Sequence, residues 1–279
     1  YLDEENAAIR EAYKEYLKKV FRLSGVAEEE LAEAAEGVMR VETELARSQW
    51  SNVALRNVAA RYNPMSREEF EKTYDAVDWA TYYKAMGVGD FDRIIVATPS
   101  AVAGANEVLK NAPMADLRYY LASQYINSAA SFLSDDFHDA SFDFFGKTMT
   151  GTPEPRARWK RAMSVPNGTL SEAVGEIYVA RYFPESDKER MTQLGRNLQT
   201  ALGEHIDALE WMSDETKARA REKLAAFTVK IGYPDTWKDY SSLDIDPEKS
   251  YWENIVNANI WYTAENLGKL GKPVDKDEW

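Results

Sequence analysis

Apolar side chains recur every three or four residues along almost the whole chain, and that spacing confines it to helices packed on one another. In the first segment Ile9, Tyr13, Leu17 and Val20 form one stripe, with Lys14, Glu15 and Lys18 turned outward, and Gly25 ends the helix. The next, from about Ala27 to Gln49, sets Leu31, Ala34, Val38, Val41 and Leu45 on one face among many glutamates. Ser66 followed by Glu69 predicts a capping box at the start of a short helix, Arg67 to Asp75. Gly87 to Asp90 reads as a turn, and Arg93 to Thr98 is the one β-like run. Pro113 opens a long helix through Leu117, Tyr120, Leu121 and Tyr125 to Phe132, followed by the aromatic cluster Phe137, Phe142, Phe144 and Phe145.

A further helix, Ser186 to Met212, carries Met191, Leu194, Leu198, Leu202, Ile206 and Leu209 at steps of three and four. Another, opened by Ser213 and Asp214, is expected to run through Leu224 to about Lys230 and to stop at Gly232 and Pro234. Ser241 to Pro247 reads as a solvated linker, and a last helix from about Glu248 holds Trp252, Ile255, Val256, Ile260 and Leu267. The fold class is therefore all-α: a multi-helix lobe of mostly antiparallel helices with at most a minor β-like segment.

Charge narrows the partners. With 34 basic against 47 acidic residues the net charge is -13, which repels phosphate backbones and anionic lipid, so no nucleic-acid partner is expected. No membrane span is expected either, because the most apolar early segment, Ile94 to Ala105, is broken by Thr98, Pro99 and Ser100. The absence of cysteine excludes disulfides and cysteine-ligated metals, and it points mildly to a bacterial source. The 279 residues have room for one large or two ordinary domains. The acidic opening Asp3, Glu4 and Glu5 does not read as a signal peptide, and a start and stop without polar tail or capping signal read as an excised piece of a longer protein.

Zinc hydrolysis needs two imidazoles one helical turn apart and a carboxylate that activates water. The histidines are only His138 and His205, neither in an HExxH pattern, and both read as surface or packing residues. There is no GxSxG elbow to suggest a serine nucleophile. The acidic pairs Asp135 with Asp136 and Asp244 with Asp246 lack the ligand ladder of a calcium loop and read as solvated loop charge. Arg156, Arg158, Trp159, Lys160 and Arg161 mix cations with an aromatic; in so acidic a chain they read as an internal ion-pair and packing feature. Asn167, Gly168 and Thr169 form a glycosylation sequon, which has no meaning in a bacterial protein. No residue is assigned as catalytic, cofactor-binding or metal-ligating.

Between Arg156 and Trp279 a resemblance becomes specific. RARWKR (Arg156 to Arg161), EAVGEIYVARYFP (Glu172 to Pro184), LEWMSDETKARAREKL (Leu209 to Leu224), IGYPDTW (Ile231 to Trp237) and GKPVDKDEW (Gly271 to Trp279) follow one another in order. In this the chain resembles the amino-terminal region of the neprilysin and endothelin-converting-enzyme family of zinc metallopeptidases. Weaker similarity, including SFLSDDF (Ser131 to Phe137), extends it back towards Tyr1.

The resemblance implies that residues 1–279 are one amino-terminal helical lobe, which roofs an enclosed peptide cavity opposite a thermolysin-like lobe. It implies zinc in the parent enzyme but none in this chain, and catalysis in a carboxy-terminal lobe of the same polypeptide, so that the chain alone is inactive. The implied partners are that catalytic lobe and peptide substrates, and the implied compartment is extracytoplasmic: periplasmic, secreted or lipid-anchored. By the same resemblance the arginine that recognises the substrate carboxylate in animal members lies upstream of Tyr1. Val256 to Asn259 and Glu265 to Gly268 look like a substrate strand and a zinc-ligand segment, but they precede the final KPVDKDEW and read as parts of the last helix. Pro166 interrupts the family pattern before Asn167 and is expected to kink that turn. The matching residues read as structural: Trp159 and Trp211 as core aromatics, Gly175 for close helix contact, and Gly232 with Pro234 as a helix stop. The alternative to the peptidase lobe is a self-standing helical module that binds a peptide or protein.

Overall fold

The computed structural model describes residues 2–279. Among them it contains twelve α-helices and one two-stranded sheet. In chain order the elements are α1 (Ala7–Leu23), α2 (Leu31–Arg47), β1 (Pro64–Ser66), α3 (Arg67–Thr73), α4 (Trp79–Met86), β2 (Arg93–Ile95), α5 (Pro99–Asn111), α6 (Met114–Ala129) and α7 (Asp135–Ser141). They continue with α8 (Arg158–Thr169), α9 (Ser171–Tyr182), α10 (Glu185–Ala208), α11 (Asp214–Ala225) and α12 (Tyr251–Leu267). Contacts divide the chain into two compact units, Tyr1–Arg156 with Ile245–Gly271, and Ala157–Asp244 with Lys272–Trp279.

The first unit is built on the stripes that periodicity picks out. Tyr13, Tyr16, Leu17, Val20 and Phe21 of α1 pack with Leu31, Ala34, Ala35 and Val38 of α2, joined by Ala140 and Phe144. Fully burying a valine, leucine or phenylalanine of this set contributes roughly 1.5–3 kcal/mol, and an alanine less. Phe144 lies in a π-helical turn, Phe142–Thr148, that continues α7, and its ring centroid stands 5.1 Å from Tyr13 and 5.4 Å from Tyr16. A second small core holds Phe70, Tyr74 and Val96 beside the sheet.

Helix α2 meets α6 through a polar contact. Asp116 is only 4% exposed and accepts two bonds from Arg40, Nε to Oδ2 at 2.8 Å and Nη2 to Oδ1 at 2.9 Å. Arg40 also donates to Glu33 at 2.6 Å. A Cβ on Gly37 would stand 2.8 Å from Asp116 Oδ1, so α2 can come this near to α6 only where it carries no side chain. Helix α12 belongs to this unit: Trp252 donates its indole N–H to the Tyr125 hydroxyl at 2.8 Å and stacks on Phe132. Its start is fixed by a full capping box between Ser250 and Glu253.

The all-α class holds, and several details differ. The β-like run pairs with Pro64–Ser66 in antiparallel register, Met65 opposite Ile94. Ser66 accepts from the Glu69 amide, one half of the expected capping box, and α3 ends at Thr73. Helix α5 has no counterpart in the sequence reading, although Pro99 at its first turn is a helix-start signal. Helix α11 ends at Ala225, well before Gly232, so Gly232 and Pro234 are not its stop. The reason lies in Thr228, Val229 and Ile231, whose β-branched side chains lose rotamer freedom in a helix. Pro166 lies inside α8, which continues to Thr169.

The Arg40 guanidinium holds the Asp116 carboxyl below the usual carboxylate range. A depressed folded-state value means that the pair stabilises the fold above about pH 4 and that this contribution is lost as pH falls through the folded-state value. Asp116→Asn is expected to cost about 2 kcal/mol at neutral pH, since Arg40 is half exposed, and progressively less as pH falls through the depressed folded-state value of Asp116. Urea melts of both proteins over a series of pH values from neutral into acid check this: the gap should narrow as the pH falls.

Candidate functional site

The second unit presents an aromatic clamp and an open apolar surface. The clamp holds the segment Ile231–Trp237 onto α9 and α10. Lys188, early in α10, places its ammonium 2.6 Å from Asp235 Oδ1 and 4.2 Å from the centroid of the Tyr233 ring. Tyr233 stacks on Trp237 with centroids 5.8 Å apart, and Phe183 meets Tyr233 edge-on at 6.0 Å. Gly232 takes φ +80°, and a Cβ there would stand 2.7 Å from the Phe183 ring. Glu172 of α9 accepts from the Lys238 amide at 2.7 Å, and its own amide donates to the Tyr240 hydroxyl at 3.3 Å. Lys230 donates to the Glu278 carbonyl, which ties the last residues to this unit.

Gly175 sits under this clamp. The space where its side chain would be faces the Trp237 ring at 3.5 Å, an ordinary packing distance, so its contact is with an aromatic ring of the Ile231–Trp237 segment and not with a neighbouring helix.

The rest of the unit leaves its apolar faces uncovered. Among its described residues only Gly203, Ile206 and Pro234 are buried. Trp159 is 66% and Trp211 77% exposed, which corrects their reading as core aromatics: each lies on a helical or turn surface that nothing in the unit covers. Trp159 and Met163 on α8, Ile177, Tyr178 and Tyr182 on α9, and Met191, Leu194, Leu198 and Leu202 on α10 are all exposed. Three successive helices with this many exposed large apolar side chains are what a surface that packs against a partner presents.

Of the basic run, Arg156, Arg158 and Lys160 are exposed, Arg161 is half-buried, and Lys160 stands 5.5 Å from the Trp159 ring. His138 lies in the first unit with Nδ1 3.0 Å from Asp139 Oδ1, and His205 is an exposed residue of α10 in the second. Asp135 and Asp136 occupy the first turn of α7, where negative charge complements the helix dipole. Asp246 accepts from the Glu248 amide at 2.9 Å in the turn before α12. Among the described residues no group of three His, Asp or Glu side chains is placed to hold a metal ion. Val256 to Asn259 lies within α12, and Glu265 to Gly268 forms its last turn and cap.

The first unit has an open groove of about 850 Å³ along α1, α2 and α5. Its charged side chains are paired: Lys14 with Glu11 on α1 and with Glu36 on α2, Arg47 with Glu44 within α2, and Arg40 with Asp116 between α2 and α6.

Fold and sequence together define the amino-terminal domain of a zinc metallopeptidase family. The chain belongs to peptidase family M13, whose amino-terminal model matches residues 1–234. It is 33% identical to the neutral endopeptidase of Lactobacillus helveticus, over 93% of this chain and 40% of that protein. It is 27% identical to neprilysin-2 of Drosophila melanogaster, over 98% of this chain and 38% of that one. Among solved structures, the zinc metalloprotease Zmp1 of Mycobacterium tuberculosis in its open state superposes with a TM-score of 0.91 and 32% identity, covering 100% of this chain and 44% of the other. The PepO structure from Lactobacillus rhamnosis shares the fold, with a TM-score of 0.88 at 22% identity. The chain thus spans about two fifths of the length of these relatives.

The clamp was not visible in the sequence as a unit. Tyr233 and Trp237 stand out as a motif, but nothing in the spacing marks Lys188 as the cation over the ring. Gly232→Ala should disturb the clamp at two points, the left-handed backbone and the Phe183 contact, at a cost of about 2 kcal/mol to the second unit. Fluorescence-monitored denaturation is the check, and an unchanged midpoint would contradict the geometry.

Proposed function

We propose that residues 1–279 are the helical, non-catalytic lobe of a zinc metalloendopeptidase. On this reading the lobe roofs a peptide cavity, admits flexible peptides and excludes folded proteins, while zinc and the catalytic groups come from another lobe of the same polypeptide. The observation that carries the reading is the uncovered apolar surface of the second unit, in a chain that spans only two fifths of its relatives. A lobe whose partner is the rest of its own polypeptide has to present such a surface, whereas a self-standing module would bury it. That the histidines and carboxylates here do not gather into a metal site is compatible with zinc held elsewhere in the parent.

The partners on this reading are the catalytic lobe and peptide substrates, and the compartment is extracytoplasmic. Among the described residues no helix is long and apolar enough to cross a membrane.

The test compares the 279-residue chain with a longer polypeptide that contains it. The chain alone should bind no stoichiometric zinc and cleave no fluorogenic peptide. The longer polypeptide should bind zinc, cleave peptides and spare folded proteins. One tightly bound zinc with chelator-sensitive hydrolysis by the 279-residue chain would overturn the proposal.

A further inference from the structure

The net charge of -13 is not spread evenly. From Leu45 to Arg67 the sequence carries four arginines and no Asp or Glu, its longest run without an acidic side chain. At the two ends of the run Arg47 is paired with Glu44 and Arg67 with Glu71. Between them Arg56 and Arg61 are exposed and meet no carboxylate among the described residues. The same loop turns apolar side chains into solvent: Val53 is 74%, Val58 78% and Tyr62 55% exposed.

The loop is held in shape from both ends. At its start Trp50 donates its indole N–H to Ser100 Oγ at 2.8 Å. At its end the Asn63 side-chain amide donates to the carbonyls of Ala60, at 2.8 Å, and of Val96, at 3.0 Å. Between these anchors Ala54–Arg56 forms a 3₁₀ turn, and the amides of Ala54 and Ala60 donate to Ser51 Oγ and Asn57 Oδ1. Two unpaired guanidinium groups and two outward valines are therefore presented by a backbone whose turns are already fixed.

We propose that residues 51–62 form a contact loop for an anionic bilayer surface, with Arg56 and Arg61 on the lipid phosphates and Val53, Val58 and Tyr62 in the interfacial layer. Charge complementarity argues for an anionic partner, because these two arginines have no carboxylate of their own to neutralise them. The valines argue for lipid over an acidic peptide, because an apolar side chain beside a cation gains from entering the headgroup boundary and offers nothing to a carboxylate. Shape argues the same way: the grooves of about 850 Å³ and 430 Å³ in the first unit are lined by other residues, and a peptide site is a cleft. The acidic remainder of the chain does not forbid the contact, because at physiological ionic strength exposed charges are largely screened beyond about 8 Å. The inference is independent of the peptidase reading.

The test is co-sedimentation of the 279-residue chain, and of a longer polypeptide that contains it, with phosphatidylcholine vesicles made with and without phosphatidylglycerol. Both proteins should bind at least about tenfold better to the vesicles with phosphatidylglycerol, and less well as salt is raised. Arg56→Gln with Arg61→Gln should weaken that binding roughly twenty-five-fold, about a factor of five for each arginine. Val53→Ser with Val58→Ser should weaken it about tenfold and leave its salt dependence unchanged. Arg156→Gln with Lys160→Gln, in the basic run of the second unit, is the control and should change it little. The absence of cysteine gives a readout that removes no arginine: an environment-sensitive dye on Val58→Cys should shift its emission to the blue on the anionic vesicles.

Equal binding to neutral vesicles, an unshifted dye, or a loss shared equally by the control would overturn the proposal. So would binding of polyglutamate that matches the vesicles and ignores the valine changes, which would make the loop an acidic-peptide site. Binding by the 279-residue chain and not by the longer polypeptide would mean that the loop is covered in the parent, and it too would overturn the proposal. None of these results bears on whether the longer polypeptide cleaves peptides.

Discussion

Apolar surface has to be taken out of water, and of the two compact units of this chain the first buries a core while the second buries little. In the first unit Leu17, Val20, Phe21, Val38 and Val41 are almost completely buried. In the second, helices α8, α9 and α10 bury little, and Trp159, Ile177, Tyr178, Tyr182, Leu194, Leu198 and Leu202 on them are exposed. At about 25 cal/mol per Å² of apolar surface, the difference between the two is the difference between a core and half of one.

The first unit shows what a finished contact looks like. Helices α1 and α2 lie along each other through aliphatic side chains, and α2 meets α6 through Gly37, Arg40 and Asp116, where a missing side chain lets a nearly buried carboxylate receive two guanidinium bonds. The second unit has its own ordered feature in the clamp of Lys188, Tyr233, Trp237 and Phe183, which is local and joins a loop to two helices. It fixes the Ile231–Trp237 segment without supplying a core. A segment so fixed on helices so little covered is suited to be one wall of a larger assembly.

Periodicity made the helices legible, because the spacing that builds a stripe is the same whether or not the stripe is covered. The reading of Trp159 and Trp211 as core aromatics comes from the family motifs and not from a stripe, and a motif carries no measure of burial: both are exposed within these residues. Gly232 was read as a helix stop because glycine after an apolar run usually is one, yet the β-branched residues before it end α11 first and leave the glycine to a loop. The strand Pro64–Ser66 and helix α5 escaped because three residues carry no period and because Thr98, Pro99 and Ser100 look like a break before they look like a start. At the candidate site the recurring motifs around Trp159, Gly175, Trp211 and Tyr233 pointed to the right family. Which of them pack on each other could not be read from order alone, since the contacts of Lys188 with Asp235 and of Gly175 with Trp237 join distant parts of the sequence.

The central claim is that the second unit lacks the surface that would complete it. Amide hydrogen exchange of the 279-residue chain, resolved by peptide mass spectrometry, measures this directly. The account predicts strong protection in α1, α2 and α6 and exchange at least about a hundredfold faster across α8, α9 and α10, because few buried apolar contacts oppose their local opening. Equal protection in both sets of helices would mean that the second unit is stable by itself, and it would contradict the account.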